Sequence, residues 1–82
     1  MLASEIVWDN VETLGTGQCC DRKIDVNGVT VWVCRAEREY GYQYGTVLVS
    51  VEEWSNGSRS DKYDHVPADS VELPDWISEH VG

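Results

Sequence analysis

A mainly β fold, a small antiparallel barrel or bent sheet of about five strands with short terminal helical segments, is predicted by three features of this 82-residue sequence. Twelve Val against four Leu is a strand-former's composition. Asn27-Gly28 sits between two alternating apolar runs, and this dipeptide is a strong hairpin signal because a type I′ turn needs positive φ at both central residues. Ser55-Asn56-Gly57-Ser58 repeats the signal later in the chain. The length allows one domain spanning 1–82. A core of this size buries roughly 60% of the extended chain's surface, near the lower limit for independent folding. Four Trp help to fill it.

Taken in order, the N-terminal segment admits two readings. Ser4 can cap a helix whose Val7, Val11 and Leu14 form one stripe, ended by Gly15. Alternatively a strand at Glu5 to Trp8 leads into a turn at Asp9-Asn10. The first hairpin pairs Arg22–Val26 with Val29–Ala36, setting Val26 opposite Val29, Ile24 opposite Val31 and Arg22 opposite Val33. One face then carries Ile24, Val26, Val29, Val31 and Val33; the other carries Lys23, Asp25, Thr30, Trp32 and Cys34.

A third strand is expected from about Thr46 to Trp54. Aligning its valines with the first face requires an odd connecting loop, for example at Tyr40-Gly41-Tyr42. Parity then pairs Val33 with Val49, Val31 with Val51 and Cys34 with Leu48, since a one-residue slip would turn a valine face outward. After the second turn come a polar arm and a strand around Tyr63 to Val66. Pro67-Ala68-Asp69-Ser70 reads as a tight turn and Val71-Glu72-Leu73 as a short closing strand. Pro74 suits a first helical position, with Trp76, Ile77, His80 and Val81 at helical spacing.

Val66-Pro67-Ala68-Asp69-Ser70-Val71-Glu72-Leu73 resembles the tight helical turn and last strand of SH3 domains. Val47 to Trp54 with the following turn is similar to the central hairpin of SH3-like and Tudor-like barrels. Pro67 and Trp54 are the positions that carry across. No aromatic-rich motif stands near the start, Trp54 lacks an adjacent Trp, and Ser70 replaces the usual Tyr of the final turn. The resemblance therefore implies a barrel shape and not polyproline binding.

Fifteen acidic against six basic residues give a net charge of −9, unevenly spread. Residues 1–21 carry four acids and no base, and residues 47–82 carry eight acids and two bases. Direct nucleic-acid binding needs clustered Lys and Arg, and the six here are scattered. An anionic membrane surface is equally disfavoured. The longest apolar run, Val31 to Cys34, is far below a membrane span, and Met1 to Glu5 has no basic start or apolar stretch. A cytoplasmic protein is the expectation, and three cysteines, an odd number, agree with it.

Enzymatic readings find little purchase. Cys19, Cys20, Cys34 and His65 could supply a zinc site, but no Cys-x₂-Cys knuckle is present and adjacent cysteines point apart on a strand. A Cys34 or Ser nucleophile needs a positioned His; only His65 and His80 exist, and Asp64 would fall on the opposite face of a strand from His65. The internal glycines sit at turns and make no phosphate cradle. Neither catalytic residues nor a cofactor are expected.

Binding fits better. Net charge speaks to association, so a basic surface of a larger protein is the natural partner, although solubility or a salt-adapted proteome would favour the same composition. The candidate contact residues are Glu52, Glu53, Trp54, Asp61, Asp64, Asp69, Glu72 and Asp75. Small acidic chains of this sort resemble phage-encoded inhibitors in size and charge, which implies a nucleic-acid mimic whose carboxylates stand where phosphates would. A second reading uses Tyr40, Tyr42 and Tyr44, which share a face on extended chain and are rimmed by Glu37, Glu39, Glu52 and Glu53, as a reader of a peptide or cationic side chain. A third is an accessory structural subunit.

Overall fold

The computed structural model describes residues 1–6, 22–36 and 41–80. Four antiparallel strands, β1 (Arg22–Val26), β2 (Val29–Arg35), β3 (Val47–Ser55) and β4 (Ser58–Pro67), form one sheet in the order β1-β2-β3-β4. Short 3-10 turns at Ala3–Glu5, Ala68–Ser70 and Asp75–His80 complete the described elements.

Both hairpin turns use the expected chemistry. Asn27 and Gly28 have φ of 51° and 79°, and Asn56 and Gly57 have 52° and 79°. Gly28 is doubly constrained, because a Cβ there would meet the Trp54 carbonyl oxygen at 3.2 Å. That approach lets Trp54 N–H donate to Gly28 O at 2.8 Å, tying the two turns together at one end of the sheet.

The register follows the parity argument. Arg22 pairs Val33, Ile24 pairs Val31 and Val26 pairs Val29. Across the next seam Val31 faces Val51, Val33 faces Val49 and Cys34 faces Leu48. The connection between Arg35 and Val47 is odd, as parity requires, and centred on Gly41. Ala36 N–H to Thr46 O and Gly45 N–H to Ala36 O, 2.8 and 2.7 Å, close its neck.

Three expectations are corrected. First, β4 begins at Ser58, so the polar arm is itself strand, paired from Ser55–Ser58 to Glu52–Asp61. Its stretch lacks an apolar alternation because exposed backbone pairing and charge pairs, not burial, define it. Second, the described residues give four strands and an open sheet rather than five and a closed barrel. Val71 to Leu73 makes one bridge, Leu2 to Glu72, flanked by Ala3 N–H to Val71 O and Leu73 N–H to Met1 O. Two residues on either side of one bridge are too few for a ladder. Third, Ser4 lies inside the first 3-10 turn and does not cap a helix, since Ile6 is already extended at φ −80°, ψ 135°. Val7, Val11, Leu14 and Gly15, and the Trp8 and Asp9-Asn10 of the alternative reading, lie outside the described residues.

The sheet buries apolar side chains on both faces. On the first, Ile24, Val29, Val31, Val33, Val49 and Val51 pack under Ala3, Ile6, Ala68, Val71, Leu73 and Ile77, so the terminal segments form the second layer. Tyr63, Val66 and Trp76 close its margin, each half-buried. On the second face Cys34, Ala36 and Leu48 form a smaller cluster with Trp32 against it. Full burial of a Val or Leu side chain contributes about 1.5–3 kcal/mol, so both clusters matter for an 82-residue chain.

Candidate functional site

At the hairpin end the second face turns from apolar to charged. Antiparallel partners point to the same side, so the register builds one transverse row from Asp25, Thr30, Glu52 and Asp61. Thr30, buried, donates its hydroxyl to Asp25 Oδ1 at 3.3 Å. Glu52 and Asp61 face each other directly, an unfavourable like-charge pair. Arg59 offsets it, with Nη1 3.7 Å from Glu52 and Nε 3.4 Å from Asp61. Arg59 is in turn the cross-strand partner of Trp54, which is 51% exposed. On the other face Lys62 reaches Glu53 at 3.3 Å. The end of the sheet thus carries half-exposed Trp54 on the same face as Asp25, Glu52 and Asp61, with Arg59 bridging two of these acids, and the Glu53–Lys62 pair on the face behind.

Toward the middle of the sheet lies the row of Lys23, Trp32 and Ser50. Lys23 Nζ stands 5.3 Å from the Trp32 ring centroid, so this half-buried indole already holds a cation of its own chain. Trp32 also packs against the Cys34, Ala36 and Leu48 cluster.

Next to it β4 is irregular. The pairing with β3 shifts between Val49 and Val51 and again between Val51 and Glu52. Such bulges bend a strand and re-aim its side chains. His65 takes φ 52°, and its N–H donates to Ser50 Oγ at 2.9 Å in place of a ladder carbonyl. The kink brings Asp64 Oδ1 to 2.8 Å from His65 Nδ1, correcting the expectation that the two side chains diverge. Ser50 Oγ lies 3.5 Å from that same Nδ1. Both contacts fall on the same ring nitrogen, whereas a nucleophilic triad places Ser and carboxylate on opposite ones; the trio sits at the bulge.

The remaining acidic candidates lie elsewhere. Asp69 is exposed on the Ala68–Ser70 turn, which packs against the Ala3–Glu5 turn at the opposite end of the sheet. Glu72 and Asp75 flank the Met1 ammonium at 3.5 and 2.8 Å. The hydrogen bond from that amine holds the Asp75 carboxyl below its ordinary range, and Asp75 raises the amine. The acids expected on one face are therefore divided between two ends and the covering layer.

Tyr42 and Tyr44 sit on the connection before β3, 37% and 82% exposed. The alternation expected to align them fails because no strand forms there and Gly41 and Gly45 turn the chain at φ 73° and 87°. Tyr40, Glu37 and Glu39 lie outside the described residues, as do Cys19 and Cys20. From Thr46 to Trp54 the strand rise of about 3.3 Å per residue gives about 26 Å, too far for one small ligand to touch Tyr44 and Trp54 together.

Among the described residues no three His, Cys, Asp or Glu side chains gather into a group that could hold a metal, and no helix is long and apolar enough to cross a membrane. Sequence reasoning missed Arg59 and Lys62 as bridges, and Ser50 as the acceptor at the bulge. Two bases within an otherwise acidic arm were the available signal for the first; nothing local marked the second. The chain matches no family model, no curated protein and no solved structure.

Proposed function

We propose that the chain is a non-enzymatic binding module that docks its acidic hairpin end on a basic surface of a larger protein. The observation that carries this reading is Trp54, 51% exposed and sharing a face with Glu52 and Asp61, on a sheet whose other large apolar side chains are mostly covered. A central aromatic within a charged rim is the composition of a contact hot spot. The indole supplies affinity, and the net charge of −9 supplies steering toward a positive groove. Where that groove normally holds nucleic acid, the row of carboxylates stands in for phosphates and the mechanism is occlusion, as in an inhibitor of the phage type. The Ala68–Ser70 turn and the Leu2–Glu72 bridge after it support an SH3-like reading of the chain's end.

The test uses the partner retained by the immobilised protein at low salt, purified and titrated calorimetrically. Trp54→Ala should weaken binding at least tenfold with the fold intact, because a centrally placed Trp contributes about 2 kcal/mol or more. Loss of less than twofold would remove Trp54 from the interface. The aromatic reader is retained as the second reading on one observation, the 82% exposure of Tyr44.

A further inference from the structure

At the end of the sheet opposite Trp54, a solvent-open pocket of about 210 Å³ is lined by Ser4, Thr46, Val47, Pro67, Ala68 and Asp69. We propose that this pocket receives one Arg or Lys side chain of the basic partner, so that the protein grips at both ends of its sheet. The inference rests on the binding-module reading and names the chemistry of a second contact.

Size makes the first argument. Sites for small molecules run from roughly 300 to 1,000 Å³, so this one suits a single side chain better than a cofactor or metabolite. The walls make the second. Val47, Pro67 and Ala68 offer apolar surface to an aliphatic stem, while the exposed Asp69 carboxylate stands at the rim for its charged head. Long basic side chains divide between such surroundings in this way, stem on apolar surface and head at an anion. Among the described lining residues there is one acid and no base. Asp69 has no ion pair among the described residues; its contact there is the Ser70 hydroxyl at 3.5 Å.

The pocket is also pre-shaped. Ala3 N–H to Val71 O, 2.9 Å, fixes the wall that carries Ser4. Thr46 donates its hydroxyl to Gln43 O at 2.8 Å, which holds the opposite rim and the loop bearing Tyr44. Little ordering remains to be done when a side chain enters, which favours binding.

The experiment is a ¹⁵N–¹H titration of the full chain with three capped tripeptides, acetyl-Gly-X-Gly-amide with X as Arg, Lys or norleucine. Arg and Lys peptides should give saturating shifts at the amides of Thr46, Val47, Ala68 and Asp69. Asp69→Asn should weaken them about threefold, the scale of one exposed ion pair, and Ser4→Phe should abolish them by plugging the mouth. Absence of saturable shifts at those amides, equal shifts with norleucine, or an unchanged Asp69→Asn titration would each overturn the proposal. The same titration on a variant with Glu52, Glu53, Asp61 and Asp64 reversed to Lys separates the two ends. Shifts that persist there while partner affinity ignores the reversal would sink the hairpin-end reading and leave the pocket standing; the converse result would sink only the pocket.

Discussion

Truncation of Leu48 to Ala tests whether the sheet is packed on both faces. Leu48 is fully buried, and its neighbours in the second cluster are Cys34, Ala36 and the half-buried Trp32. Removing three carbons forfeits about 2.4 kcal/mol of transfer free energy at about 0.8 kcal/mol each. Two of those neighbours are small and sit on strand backbone, so the space closes incompletely and the cavity adds to the loss. A total of about 3 kcal/mol is expected, inside the roughly 2–5 kcal/mol range for Leu-to-Ala in cores. A chain of 82 residues has about 4–12 kcal/mol to lose. At about 4–8 °C per kcal/mol, Tm should fall by about 12–24 °C. The comparison variant is Val49→Ala, one residue along on the main core face and also fully buried, which should cost about 2 kcal/mol. Urea unfolding followed by far-UV circular dichroism measures both with the same slope. If Val49→Ala behaves as stated and Leu48→Ala stays within about 0.5 kcal/mol of the parent, a range typical of surface positions, the second face is not a core.

Three further perturbations address the charged end, the bulge and the termini. Arg59→Ala should destabilise by no more than about 1 kcal/mol, since the cation is half-exposed, yet it should tighten binding to a basic partner by leaving Glu52 and Asp61 uncompensated; weaker binding in calorimetry would assign Arg59 to the interface instead. Ser50→Ala removes the acceptor of the His65 N–H and should cost about 1–3 kcal/mol, whereas Ser50→Thr, which keeps the acceptor, should recover most of it in the same urea assay. Asp75 has a lowered pKa, so its contribution is present above the unfolded carboxyl value and lost as pH falls through the folded one. The Met1 amine has a raised pKa, so its contribution is present below the unfolded amine value and lost as pH rises through the folded one. NMR titration of the Met1 α-amine should show Asp75→Asn returning it toward its ordinary range; an unmoved amine would deny the pairing.

The central sheet was legible because period-two alternation and an Asn-Gly turn are local, and they constrain each other. Once Val26 faces Val29, every later pair in β1 and β2 is set, and only an odd connection keeps Val49 and Val51 in the same core. The first half of β4 was not legible, since Ser58 to Lys62 are all exposed and their pairing leaves no hydrophobic pattern. The bulge was hidden for a related reason. Positive φ at His65 is sustained by Ser50, fifteen residues away, and by no residue type that announces a kink. The acids of the candidate site were legible as a list and not as a surface. Their division between Trp54 and Asp69 depends on where the Ala68–Ser70 turn docks, a tertiary contact with the Ala3–Glu5 turn that composition does not encode.

The measurement closest to the central claim is the dissociation constant of the purified partner complex from low to high salt, for the parent and for the variant with Glu52, Glu53, Asp61 and Asp64 reversed to Lys. Circular dichroism first establishes that the variant is folded. If carboxylates at the hairpin end meet a basic surface, parental affinity falls steadily as salt rises, and the reversed variant binds at least tenfold more weakly at low salt, mainly through slower association. Equal affinities, or a parental complex indifferent to salt, would contradict the account and leave the acidity of this chain as a matter of solubility.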